Sequence, residues 1–169
     1  RENRGEIEAA MRHTLPDLVS LEQIRGDLHL HTTLSDGKAT MEEMAAECQL
    51  KGYEYIGISD HSQSLRIAGG LSAEDMLRAV DETHRLSDEM DINILRGAEV
   101  DILEDGTLDY PNSVLKELDY VVASVHSRFK MERREMTQRI IKALSNEHVS
   151  VLGHPTGRLI GRREEYQVD

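Results

Sequence analysis

"GDLHLHTTLSDGKATMEEMAAECQLKGYEYIGISDH", residues 26–61, reads as a strand, a helix and a second strand. The opening "GDLHLHT" alternates and is apolar enough for a strand. Thr40 has Glu43 three residues later, a capping-box pattern, and Met41, Met44, Ala45 and Cys48 then recur on one helical face until Gly52 stops it. "YEYIGISDH" (53–61) is the second strand. Two strands joined through a helix run parallel, because the crossover returns the chain to the same end of the sheet.

The rhythm continues outward. Ser72 with Asp75 starts a helix that runs to about Met90, and "INILRGAEVDI" (92–102) is a strand. Pro111 opens a short helix, "DYVVASVH" (119–126) is a strand, residues 132–147 are helical, and "VSVLGH" (149–154) is a fifth strand. Alternating elements at this spacing predict an α/β fold, a parallel sheet or barrel of βα units. Residues 1–24 are charged with scattered apolar positions and predict a short helix around Glu6 to Arg12, then a turn at Pro16. No Gly/Ser linker or internal repeat divides the rest, so 25–169 is expected to be one domain behind a leading segment.

The chain has 169 residues, 38% apolar and 31% charged, which fits one globular domain with a real core. No apolar run approaches membrane-spanning length and no leader pattern opens the chain, so no membrane is expected as a partner. The single cysteine, Cys48, has no internal partner and fits a reducing cytoplasm as a small buried side chain. A net charge of -12 argues against a surface that grips nucleic acid all over, while leaving room for a local basic patch.

In parallel α/β folds the active site lies at the carboxyl ends of the strands. Here those ends carry His29 and His31, then Asp60 and His61, then Glu99 and Asp101, then His126, and last His154. One such histidine would ordinarily be structural. Every strand delivering a metal-type ligand to one rim points to a metal centre. His-x-His on a strand puts both imidazoles on one face. Imidazole with carboxylate and no thiolate suits Zn, Mn or Fe. Glu99 is placed to bridge two metals, an arrangement used for phosphate-ester hydrolysis. His13, His84 and His148 fall outside the pattern and read as surface or packing residues. Arg128 and Lys130, with Arg133 and Arg134, follow His126, while Arg158, Arg162 and Arg163 follow His154. Two basic clusters beyond metal-type ligands suggest recognition of a phosphate backbone.

"DLHLHTTLSDG", "ISDHS", "GAEVDI", "ASVHS" and "LGHPTGR" together resemble the ordered motifs of the PHP (polymerase and histidinol phosphatase) phosphoesterases. "RENRGEIEAA", "GTLDYP", "MTQRIIKAL" and "LGHPTGRLIGRREEY" are similar to the C-terminal PHP domain of bacterial and archaeal family X DNA polymerases. The resemblance implies a distorted seven-stranded βα barrel with up to three divalent metals, Mn or Zn. It implies 3′–5′ exonuclease and 3′-end processing of single-stranded or gapped DNA in repair, with a polymerase domain in cis upstream of the 1–24 segment. Carried over by position, His29, His31 and Glu99 match one metal's ligands. Glu99, His126 and His154 match a second, and Asp36 with His61 a third. Asp60 and Asp101 are expected to orient ligands or cap loops. Glu99 and His31 are the residues on which catalysis is expected to depend.

The family's final Asp-x-His motif and about two βα units are not found before Asp169. The resemblance therefore implies a barrel truncated after about five units, a weak third metal and self-association through exposed edges. Two other functions remain open on the sequence: a small-molecule phosphomonoesterase of the histidinol-phosphatase type, and an inactive metal-binding or assembly fragment.

Overall fold

The computed structural model describes residues 4–169. The first turns are a short helix α1 (Glu6–Met11) and an extended segment with no buried residue before β1 (Gly26–Leu30). The domain then follows as α2 (Met41–Leu50), β2 (Tyr55–Ile58), α3 (Ala73–Glu89), β3 (Asn93–Asp101), α4 (Asn112–Leu115), β4 (Tyr120–Ser124), α5 (Arg133–Leu144) and β5 (Val151–Leu152). The expected capping box at α2 forms: Glu43 N–H donates to Thr40 Oγ1 and Thr40 N–H donates to the Glu43 carboxylate. Gly52 ends that helix in the left-handed region at φ 78°, where a side chain would be strained.

All five strands are parallel and lie in sequence order, β1-β2-β3-β4-β5, curled into a half-barrel. An order without reversal is that of a βα barrel rather than a doubly wound sheet, and right-handed crossovers then put every helix on one face. Three apolar clusters form that face. Ile56 and Ile58 pack with Met41, Ala45 and Cys48 of α2; Ala98 and Val100 with Met76 and Ala79 of α3; Ala123 with Met136 and Ile140 of α5. Cys48 is buried, as expected. The edge strands are the poorly covered ones, with Leu28 and Val151 both about half exposed.

Alternate residues face the inner side of the curl. There Tyr120 lies across two glycines: a Cβ on Gly57 would sit 2.2 Å from its Oη, and one on Gly97 2.3 Å from its Cζ. The ring crosses β3 and β2, and its hydroxyl donates to the Leu28 carbonyl of β1 at 2.7 Å. Above this layer, toward the carboxyl ends, stand Ser59, Glu99, Asp101 and Ser124.

The strands are shorter than their sequence signals. Residues 149–154 predict a six-residue strand, but only Val151 and Leu152 form it, paired with Val122 and Ala123 of β4. His31, His61, His126 and His154 therefore lie just past the strands, where the chain is free to turn inward.

Candidate metal centre

Glu99 stands on β3, the middle strand, and is 2% exposed. Its Oε2 is 3.2 Å from His29 Nε2, 3.4 Å from His31 Nε2 and 3.3 Å from His61 Nδ1. Its Oε1 is 3.1 Å from His126 Nε2 and 2.9 Å from His154 Nε2. Five imidazoles from four strand ends thus converge on one carboxylate, and the two oxygens divide them. The rings succeed one another as 29, 31, 61, 126 and 154, with neighbouring centroids 5.1, 4.4, 5.3 and 5.1 Å apart.

Local structure explains the convergence. Period two puts His29 and His31 on the inner face of β1. The chain then turns at Thr32–Gly37, where a Cβ on Gly37 would meet the His31 carbonyl oxygen at 2.2 Å. That turn returns Asp36 to His31: Oδ1 is 2.9 Å from Nδ1, while Oδ2 is 3.6 Å from His61 Nε2. The turn is fastened from below by Asp60, which is fully buried. Asp60 accepts from Thr32 N–H (2.7 Å), Thr32 Oγ1 (3.0 Å), Ser35 Oγ (2.7 Å) and Arg96 Nη1 (3.0 Å). Asp101 does the equivalent service across β4: its carboxylate pairs with His126 Nδ1 and leaves Nε2 facing Glu99. His154 is reached through a backbone at φ 22°, a region that non-glycine residues seldom adopt.

The electrostatics follow. Burial would push Glu99 up, but hydrogen bonds from His126, His154, His29 and His31 outweigh it and hold the carboxyl far below the usual range. His126 is pulled down by burial, then carried up to about 9 by Asp101 and Glu99. His31 shows the same contest on a smaller scale, burial against Glu99 and Asp36, and ends raised. Burial wins at His61, which is lowered and so favours the neutral ring a metal needs.

These residues fit divalent cations. His61 Nδ1 is buried and makes no hydrogen bond. His126 Nε2 and His154 Nε2 lie 3.2 Å apart on the same carboxylate oxygen, a pile-up of ring nitrogens that a cation satisfies better than a shared proton. Among the described residues, three groups have ligand atoms mutually within 4.8 Å: His29, His31 and Glu99; His31, Asp36 and His61; His61, Glu99 and His126. The donor set contains no thiolate, as expected for hard or borderline divalent ions. His31 and His61 each belong to two groups, so the cluster is more shared than the position-by-position carry-over implies.

The basic residues divide. Arg128, at φ 58°, pairs with Glu104 at 2.6 Å, and Arg163 lies over the Phe129 ring, 3.9 Å from its centroid. Both line a cavity of about 720 Å³ with Lys130, Met131, Glu104, Glu164 and Glu165. Arg158 and Arg162 are exposed on the loop after His154. Arg133 instead pairs with Gln167 and Asp169 near the end of the chain.

Residues 27–166 match the family model described as the PHP domain. The chain belongs to the PHP family. It is 49% identical over 154 residues to the DNA polymerase/3′-5′ exonuclease PolX of Bacillus subtilis (strain 168), covering 90% of this chain and 27% of that protein. It is 36% identical over 137 residues to a probable phosphatase of Thermoanaerobacter sp. (strain X514), covering 76% of this chain and 53% of that protein. A probable phosphatase of Acetivibrio thermocellus is 33% identical over 133 residues, with 76% and 53% covered. The PHP chain thus spans about a quarter of the PolX relative and about half of the phosphatases. No helix among the described residues is long and apolar enough to cross a membrane.

The structure brings together the seven residues expected from the sequence, His29, His31, Asp36, His61, Glu99, His126 and His154, and sets Asp60 and Asp101 in hydrogen bonds beside them. Sequence reasoning passed over Arg96 and Phe129. The signal for Arg96 was a charged residue inside an otherwise apolar strand, which must find a buried partner.

Proposed function

We propose that this PHP domain is a phosphodiesterase that works on DNA 3′ ends, in cis to a family X polymerase domain. The observation carrying this reading is Glu99 spanning two sets of histidines beside two arginine-bearing loops. In it His29, His31 and Glu99 hold one Mn or Zn ion, Glu99, His126 and His154 a second, and Asp36 with His61 contributes to a weaker third. Such cations supply Lewis-acid polarisation of a phosphoryl oxygen and of water, and neutralise developing charge.

The protein's own residues do the rest. Glu99 fixes the spacing between the two histidine sets. Asp101 and Asp36 hold His126 and His31 by Nδ1, so that Nε2 of each faces inward. Arg128, Lys130, Arg158, Arg162 and Arg163 hold the phosphates of the strand, with guanidinium forks suited to paired oxygens. The similarity to PolX supports the polymer substrate and the polymerase partner, and the same setting suggests a cytoplasmic protein in DNA repair.

The test is degradation of a 5′-labelled single-stranded oligonucleotide with Mn²⁺. Progressive shortening from the 3′ end is expected, and Glu99→Ala or His31→Ala reduces it to background. Unchanged activity in both variants removes the assignment. A second reading, a phosphomonoesterase of small metabolites, is favoured by the similarity to the probable phosphatases; faster turnover of histidinol phosphate than of the oligonucleotide would select it. Elemental analysis addresses an inert assembly fragment, which would hold no stoichiometric metal.

A further inference from the structure

The cavity of about 720 Å³ contains none of the five clustered histidines. Its size falls in the range of small-molecule sites, about 300–1,000 Å³. Its walls come from three loops: Glu104 lies in the loop after β3, Arg128–Met131 begins two residues after His126, and Arg163–Glu165 closes the loop that starts at His154. Arg163 is tied into that loop by its Nε–H, which donates to the Gly157 carbonyl at 2.8 Å. Its apolar lining is Phe129 and Met131. The sequence contains one phenylalanine and no tryptophan, and the phenylalanine is set here, half-buried, with a guanidinium laid over its ring. Tyr166 stacks beside it, with centroids 6.4 Å apart.

The walls carry both signs. Arg128, paired with Glu104, and Lys130 supply cations, while Glu164 and Glu165 supply further carboxylates. A phosphate suits the cations and is repelled by the carboxylates. A flat ring carrying amino donors suits the carboxylates and stacks on an arginine plane or an aromatic ring. We infer that this cavity is a nucleobase subsite: it receives the base of a nucleotide on the Phe129–Arg163 stack, with that nucleotide's phosphate directed toward Arg128 and Lys130. The inference rests on the phosphodiesterase reading for its purpose, and it makes Phe129 a residue that selects substrates bearing a base.

The test needs no metal and no turnover. Because Phe129 is the one phenylalanine, ring-labelled phenylalanine gives a single NMR reporter in the intact chain. In chelator, the chain is titrated with deoxyadenosine 5′-monophosphate, 2-deoxyribose 5-phosphate and inorganic phosphate. The nucleotide is expected to bind about tenfold more tightly than the sugar phosphate, as one stacked base warrants, and to shift the Phe129 signal. Phe129→Leu, followed calorimetrically and checked by thermal melting for an intact fold, abolishes the difference; Phe129→Tyr retains it. Equal affinity for nucleotide and sugar phosphate, or an unchanged preference in Phe129→Leu, overturns the subsite and leaves the phosphodiesterase reading standing. A base preference in a chain that fails to shorten oligonucleotides upholds the subsite and overturns only that reading.

Discussion

Asp60 and Arg96 are both fully buried, with Nη1 and Oδ2 3.0 Å apart. Removing one member of such a pair strands the other's charge, at about 3–5 kcal/mol. Asp60→Ala falls at about 4 kcal/mol on that scale, since the Arg96 guanidinium loses the carboxylate it is paired with. Arg96→Met costs less, about 3 kcal/mol, because Asp60 keeps three other donors from Thr32 and Ser35. The double variant removes both charges together. It is expected at about 4–5 kcal/mol rather than the sum, a coupling of about 2–3 kcal/mol. Urea unfolding of the four proteins gives the cycle. A second readout separates anchoring from bulk stability. Asp60 fastens the turn that carries Asp36, so Asp60→Asn, which sets an amide NH₂ against donors, weakens Mn²⁺ binding about 10–100-fold. An additive double variant, or Mn²⁺ affinity untouched by Asp60→Asn, would refute the reasoning.

Three further outcomes follow from other parts of the molecule. Gly97→Ala, whose Cβ would fall 2.3 Å from Tyr120 Cζ, destabilises by about 1–3 kcal/mol, and adding Tyr120→Leu recovers part of the loss in the same melting assay. Mn²⁺ or Zn²⁺ at a hundredfold excess over Kd stabilises by about 2.7 kcal/mol, roughly 5–10 °C in Tm for a domain of this size; chelator reverses the shift, and Glu99→Gln abolishes it. Burial, with Asp101 nearby, raises the Asp109 carboxyl, and its Oδ1 has no hydrogen-bond partner. A carboxyl raised in the fold favours the native state below its unfolded pKa and loses that contribution as pH rises through the folded one. Asp109→Asn therefore gains on the parent chain as pH climbs from the ordinary carboxylate range to neutrality, and a flat difference in unfolding midpoint with pH would count against this.

The parallel order and the strand-end cluster were legible because each depends on local pattern: a capped helix between two apolar runs, and a ligand-type residue after each run. Strand limits were less legible. Residues 149–154 carry the same signal as the inner strands, but how many of them pair depends on the register with β4, which no local window contains. The division of five histidines between the two oxygens of Glu99 likewise depends on how the strand ends curl. So does the sharing of His31 and His61 between groups. Arg96 and Phe129 were missed for a related reason: their meaning comes from partners 36 and 34 positions away, Asp60 and Arg163.

The contact between Tyr120 and the Leu28 carbonyl spans 92 positions, whereas each strand pairs with its successor through a single crossover. Pairing can therefore advance in order as the chain emerges, each step closing a modest loop. The tyrosine cannot take its place until β1, β2 and β3 are aligned beneath it, and until then β1 is held from one side only. Its placement thus requires four aligned strands, and it ties the first of them to the fourth. The histidines of β1 are set relative to Glu99 across the same span, so their geometry depends on four strands rather than on β1 alone.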